Sequence, residues 1–284
     1  MWLLFVFLNM VISGFLDIIE KKGSNNQPLY FWAQAVFLYG ILNVVLGIIF
    51  MPSVLINFDF KTMFLNLPIA FLSTFGYYCT VMAFKYCSIS KIAPILRSKI
   101  IVVLILSALF IDDRLTIVQL VLIFLLLIFN ILLNKSNDSK KSIKGVLFAF
   151  GYMFANGIAT FLNKIVLDLV PNPISVTFYN GLTTVLSIIL ILLIFRKTEF
   201  LNVKNFKNKN YVLLMEILEV ISMFLLRYAI MDGNIVIITA MTSSSIIIAI
   251  ILSKIIFKEK ISVRKWLMII LIAILLIILS IISI

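Results

Sequence analysis

Ten blocks of roughly 20 mostly apolar residues, each closed by a few polar ones, leave this 284-residue chain few folds to choose from. A block of that length crosses the hydrocarbon core of a bilayer when it is helical. The blocks run over 2–19, 29–51, 63–84, 90–111, 116–134, 145–165, 174–195, 211–231, 235–256 and 264–284. Open sheets cannot cross lipid, because their edge N–H and C=O groups would go unpaired, so the blocks are expected to be helices. The first block starts at Trp2 with no basic segment before it and no small-residue cleavage site after it. It reads as a retained span rather than a signal peptide. The gaps are short, so the expected fold class is an all-α integral membrane protein of ten transmembrane helices.

Composition agrees and removes several chemistries. Hydrophobic residues make up 63% of the chain and charged ones 13%, against about 45–50% and about 25% in soluble domains. There is no His, so a Ser-His-Asp triad, a His metal site and a His proton relay are all excluded. Two cysteines, Cys79 and Cys87, cannot staple a chain of this length. No cofactor motif appears, and none is expected. The net charge of +12 has a topological explanation. Most of the 24 Lys and Arg residues lie after the odd-numbered blocks: Lys21 and Lys22; Lys85 and Lys91; Lys135, Lys140, Lys141 and Lys144; Arg196, Lys197, Lys204, Lys207 and Lys209; Lys258, Lys260, Arg264 and Lys265. Short loops rich in Lys and Arg stay cytoplasmic. The odd-numbered loops are therefore expected in the cytoplasm of a cell with both termini outside. The partners expected of this charge are anionic lipid headgroups. Nucleic acid is not expected, because the basic residues are scattered over five short loops.

The polar residues repeat. Asn9, Ser13, Asp17 and Glu20 in span 1 are matched, at one constant offset, by Tyr152, Asn156, Thr160 and Asn163 in span 6, and Gly14 falls on Gly157. Spacings of four, four and three put each set on one helical face. Gln27-Pro28-Leu29 before span 2 is echoed by Asn172-Pro173-Ile174 before span 7. Ala83 is followed by the turn Asp113-Arg114-Leu115-Thr116, and Ala229, at the same remove, by Glu259-Lys260-Ile261-Ser262. Two five-span repeats fused in one chain must insert in opposite senses, an arrangement common among secondary transporters. The expected division is 1–134 for the first repeat, 135–144 for a basic connection and 145–284 for the second.

Ala83-Phe84-Lys85-Tyr86, then span 4, then Asp113-Arg114-Leu115-Thr116 resembles the signature of EamA-like proteins in the drug/metabolite transporter superfamily. The second copy, from Ala229 to Ser262, is similar but degenerate. The resemblance covers the full chain. It implies a small-solute carrier with a central cavity between two halves, often an exporter of amino acids or other metabolites. Where many relatives carry Glu-Pro in span 4, this chain has Lys99-Ile100, and several relatives are described with cytosolic termini, opposite to the charge count.

Charged groups inside a span cost about 2.5–3.5 kcal/mol each on insertion scales, so they usually face a cavity or a partner. Span 8 carries Glu216, Glu219 and Arg227 within about 60° of one another on the helix. They read as a substrate- or proton-binding stripe, or, for Glu216, as an interfacial residue. Span 4 carries Arg97 and Lys99, about 200° apart on a continuous helix. One is expected to line the pathway or pair with an acid, and the other to snorkel towards the basic loop at Lys91. Pro94, just before them, reads as a kink. Asn9, Ser13 and Asp17 in span 1, and Asn156 in span 6, suit either helix packing or a cavity wall. So do Thr239, Thr242, Ser243, Ser244 and Ser245 in span 9. Tyr77 and Tyr78 suit either substrate stacking or the core, and Trp32 suits an interfacial anchor. The expected pathway set is thus Asn9, Ser13, Asp17, Tyr77, Arg97, Lys99, Asn156, Glu216, Glu219, Arg227 and Thr242.

Both signs of charge at membrane depth suit a zwitterion, and equally internal ion pairs around a neutral substrate. The expected function is secondary transport of a small polar metabolite, most readily the export or exchange of amino acids. Sugar phosphates, nucleotide sugars, drugs or lipid-linked sugars are alternative cargoes on the same fold. Without His, proton coupling would have to use a carboxylate, with Glu219 the first choice. A membrane enzyme is disfavoured, because no acidic pair sits beside a Gly-rich phosphate loop. Fused repeats can work as a monomer, and a homodimer is equally compatible.

Overall fold

The computed structural model describes residues 1–24, 27–87, 92, 95–111, 115–133, 142–202, 208–257 and 263–282. Lys91, Pro94, the turn residues Asp113 and Arg114, the basic residues at 135, 140, 141, 204 and 207, and the segment 258–262 with the second turn lie outside them. Among the described residues every regular element is helical. In chain order these are α1 (Trp2–Gly23), α2 (Pro28–Phe50), the short α3 (Ser53–Ile56), α4 (Phe60–Tyr86), α5 (Lys99–Phe110), α6 (Ile117–Leu133), α7 (Ile143–Leu169), α8 (Pro173–Ile194), a 3₁₀ turn (Thr198–Leu201), α9 (Lys209–Asp232), α10 (Ile235–Ser243), α11 (Ile246–Phe257) and α12 (Val263–Ile282).

Among the described residues, five stretches are long and apolar enough to cross a membrane: Trp2–Glu20, Pro28–Phe50, Phe60–Tyr86, Ile143–Leu169 and Pro173–Ile194. Helix α9 is as long but carries the charged stripe of Glu216, Glu219 and Arg227. The ends are written in local chemistry. Pro28 and Pro173 open α2 and α8, where a missing N–H costs nothing. Asn172 caps α8 by accepting from the Ile174 and Ser175 N–H groups, 3.1 Å each. Asn234 caps α10 in the same way.

The fourth and ninth apolar blocks are not the continuous helices the sequence suggests. The fourth is interrupted at Ser98, whose N–H bonds the Ile95 carbonyl and whose carbonyl accepts from Ile101. The ninth is interrupted at Ser244 and Ser245, whose N–H groups reach back three residues to Met241 and Thr242. These tightened bonds replace the four-residue ladder. In the ninth block, Ser243 and Ser244 also bond the Thr239 and Ala240 carbonyls through their hydroxyls, at 2.7 and 3.3 Å. Such back-bonding bends helices. The two interruptions, Ser98 and Ser244, stand at equivalent positions of the two repeats, with the same offset as Ala83 and Ala229.

Packing respects the repeat. Helix α1 packs on α9, and its counterpart α7 packs on α4. Helix α1 also packs on α11, as α7 does on α5, while α2 pairs with its own counterpart α8 and α6 with α12. Each contact therefore returns when the two halves are exchanged. A large apolar cluster joins α1, α4, α5, α6, α7, α8, α9, α10, α11 and α12, and a second joins α1, α2, α4, α8 and α9. Residues of both clusters border the polar cavity, among them Ile69 and Ala159 of the first and Leu16, Val36 and Met215 of the second.

Candidate functional site

A cavity of about 260 Å³ opens between the halves, walled by residues of α1, α2, α4, α5, α7, α8, α9 and α10 and by Leu96 and Arg97 just before α5. All eleven residues singled out from the sequence line it: Asn9, Ser13, Asp17, Tyr77, Arg97, Lys99, Asn156, Glu216, Glu219, Arg227 and Thr242. Their gathering follows from the packing, because α1, α7 and α9 each turn one polar stripe inward.

Arg97 forms an ion pair with Asp17 of α1. Lys99 donates to Asn156 Oδ1 of α7 at 2.8 Å. The expectation that only one of these two cations could face the cavity is therefore corrected, and so is the expected snorkelling of the other towards the loop. It assumed a continuous helix, whereas the interruption at Ser98 between them re-aims the chain. Asp17 lines the cavity. Glu216 is 2% exposed and lines the cavity.

Arg227 is the largest of the fully buried side chains. Its Nη1 donates to Thr177 Oγ1 at 2.9 Å and its Nη2 to Asn180 Oδ1 at 2.8 Å, both on α8. Asn9 donates to the carbonyl and the hydroxyl of Ser222, both at 2.8 Å. This bond locks α1 to α9, so Asn9 both packs and lines the wall. The Tyr77 hydroxyl meets Met215 Sδ at 3.6 Å. Tyr78 turns away and packs edge-on against Trp32 and Phe148.

Trp32 is not an interfacial anchor. It is 6% exposed, and its Nε1 donates to the Thr74 carbonyl at 3.0 Å. In the ninth block, Thr242 and Ser243 reach the cavity, while the Thr239 hydroxyl is spent on the Ile235 carbonyl. Ser244 is within 3.4 Å of the Asn130 amide.

Several wall residues are not among those singled out from the sequence: Tyr39, Thr74, Asn180, Thr184 and Ser222. A signal exists for two of them. Thr177, Asn180 and Thr184 are spaced three and four apart, the same one-face pattern as in spans 1 and 6. As neutral residues in an otherwise apolar span, they do not stand out.

The family model described as the EamA-like transporter family matches residues 1–135 and again 143–281. A crystal structure 12% identical to this chain superposes with a TM-score of 0.76, covering 99% of this chain and 98% of that one. At that identity the likeness speaks to the fold alone. No curated protein matches the sequence significantly. Two matches of one family model, end to end over nearly the whole chain, show that this multi-pass membrane protein belongs to the EamA-like transporter family.

Proposed function

We propose that the chain is a ten-span secondary carrier, its two five-span halves inserted in opposite senses, that exports or exchanges a small zwitterionic metabolite of the amino-acid class. The observation that carries this reading is the mixed charge of one cavity. Carboxylates of Glu216 and Glu219 and cations of Lys99 and Arg227 face the same space, and none of them is in an ion pair among the described residues. An ammonium and a carboxylate on one substrate each find a partner there. A sugar-phosphate cargo is less well served, because Arg97, the better bidentate phosphate ligand, is already committed to Asp17.

The energy would come from an ion gradient or from exchange, with Glu219 the residue we assign to proton coupling. The basic loops lie in the cytoplasm in this reading, and the membrane is that of the cell. The test is counterflow in liposomes with labelled amino acids, polyamines, sugar phosphates and cationic dyes. Trans-stimulated uptake of amino acids supports the proposal. Uptake of sugar phosphates or dyes alone would overturn the substrate class and keep the carrier.

A further inference from the structure

The two ends of the cavity carry opposite charges, Glu216 and Arg227, neither of them in an ion pair among the described residues. Glu216, 2% exposed, lines the cavity and makes no hydrogen bond or ion pair among the described residues. The charges that act on it are Glu219 and Glu20, both acidic. Glu20 is brought alongside by α1, whose end is tied to the start of α9 by Asn208 donating to the Gly23 carbonyl at 2.7 Å. Its Oε1 is buried and has no hydrogen-bond partner.

Arg227 faces the opposite situation at the other end. It is 1% exposed, held by the neutral Thr177 and Asn180 and beside the Tyr39 hydroxyl, with Nε buried and unpartnered. No carboxylate lies within ion-pair distance of it among the described residues. Between the two ends Arg97 is paired with Asp17, Lys99 donates to the neutral Asn156, and Glu219 lies in the field of Lys99.

Glu216 and Arg227 stand on one uninterrupted helix, eleven residues apart (227 minus 216). At 100° per residue they are about 20° from alignment, and about 16 Å apart along the axis. An α-amino acid carries its ammonium and carboxylate on one carbon, so those two groups cannot reach both ends. A buried charge without a partner is expensive, so a ligand that meets both ends gains from both.

Resting on the carrier reading above, we propose that the cavity selects an elongated substrate with an ammonium group at one end and a carboxylate at the other, as in a basic amino acid. The distal ammonium sits between Glu20 and Glu216, and the carboxylate on Arg227.

The test compares labelled lysine, norleucine (the same chain without the distal ammonium), cadaverine (a diamine without the carboxylate) and serine in counterflow with the full-length protein. Lysine is expected to exchange at least tenfold faster than norleucine or cadaverine. Glu216→Gln and Glu20→Gln are each expected to lower the lysine-to-norleucine ratio at least tenfold. Because the ratio is taken within one variant, loss of folded carrier cancels. Thermal stabilisation of the unaltered protein, larger with lysine than with norleucine, reads the same preference without any variant. Norleucine or cadaverine matching lysine, or a ratio unmoved by both substitutions, overturns the inference. If serine still exchanges in that case, the carrier reading stands. Silence from every compound overturns both.

Discussion

Gly157 lies against Val102 so closely that a Cβ on the glycine would sit 2.7 Å from Val102 Cβ. Its counterpart in the first repeat, Gly14, meets Ile248 in the same way at 2.5 Å. Val102 and Ile248 are themselves counterparts, each standing four positions after its helix interruption, Ser98 or Ser244. Small residues let membrane helices approach closely, and here the approach fixes the re-aimed segments that carry Arg97, Lys99 and Thr242. Neither neighbour can yield cheaply, since both are β-branched and stiff. Gly157→Ala and Gly14→Ala should each cost about 1–3 kcal/mol by overpacking, read as a lower melting temperature in detergent. Gly76→Ala, where the nearest atom stands 3.6 Å away, should be tolerated. Equal melting temperatures for all three variants would refute this reading.

The Arg97–Asp17 pair joins the segment before α5 to α1 and is mostly shielded, with side chains 17% and 32% exposed. Removing one partner from such a pair leaves a charge without its counterion, which costs roughly 2–4 kcal/mol, whereas removing both costs less. Asp17→Asn and Arg97→Gln should each lower stability more than the double variant does relative to its parents. A thermal-denaturation cycle measures the coupling. Strict additivity would mean that the pair contributes nothing.

Trp32 gives a smaller and cleaner test. Trp32→Phe keeps a ring against Tyr78 but deletes the Nε1 donor and leaves the Thr74 carbonyl without it. A loss of about 1 kcal/mol is expected. An interfacial tryptophan would show no such loss, so an unchanged melting temperature would restore the anchor reading.

The inward-facing stripes are legible in the sequence because charge and amide groups are rare in apolar helices, and spacing alone puts them on one face. Asn9, Asp17, Asn156 and Glu219 stand out in this way. The helix interruptions do not. Serine is neutral in a membrane helix, and periodicity arithmetic assumes an unbroken ladder, so it puts Arg97 and Lys99 on opposite faces. Trp32 is misplaced for a related reason: composition says where tryptophan is common, not whether a carbonyl such as that of Thr74 waits inside. Asn180 is within reach of spacing, since it stands in phase with Thr177 and Thr184. Its partner Arg227, 47 residues away, is not.

The last prediction concerns coupling. Glu219 lines the cavity and is in no ion pair among the described residues, with Lys99, Asp17 and Arg97 among the charges acting on it. A carboxylate placed there can exchange a proton with the pathway and sense whether a substrate ammonium is present. With no His in the chain, the cavity carboxylates are the acidic groups available for proton coupling. Glu219→Gln keeps the shape and removes the titration. In liposomes with an imposed pH gradient, it should lower gradient-driven uptake at least tenfold while substrate exchange, which needs no net proton movement, is partly retained. If the variant and the unaltered protein accumulate substrate equally under the gradient, Glu219 is not the coupling group. The remaining candidates are then Glu20 and Glu216, which line the same cavity.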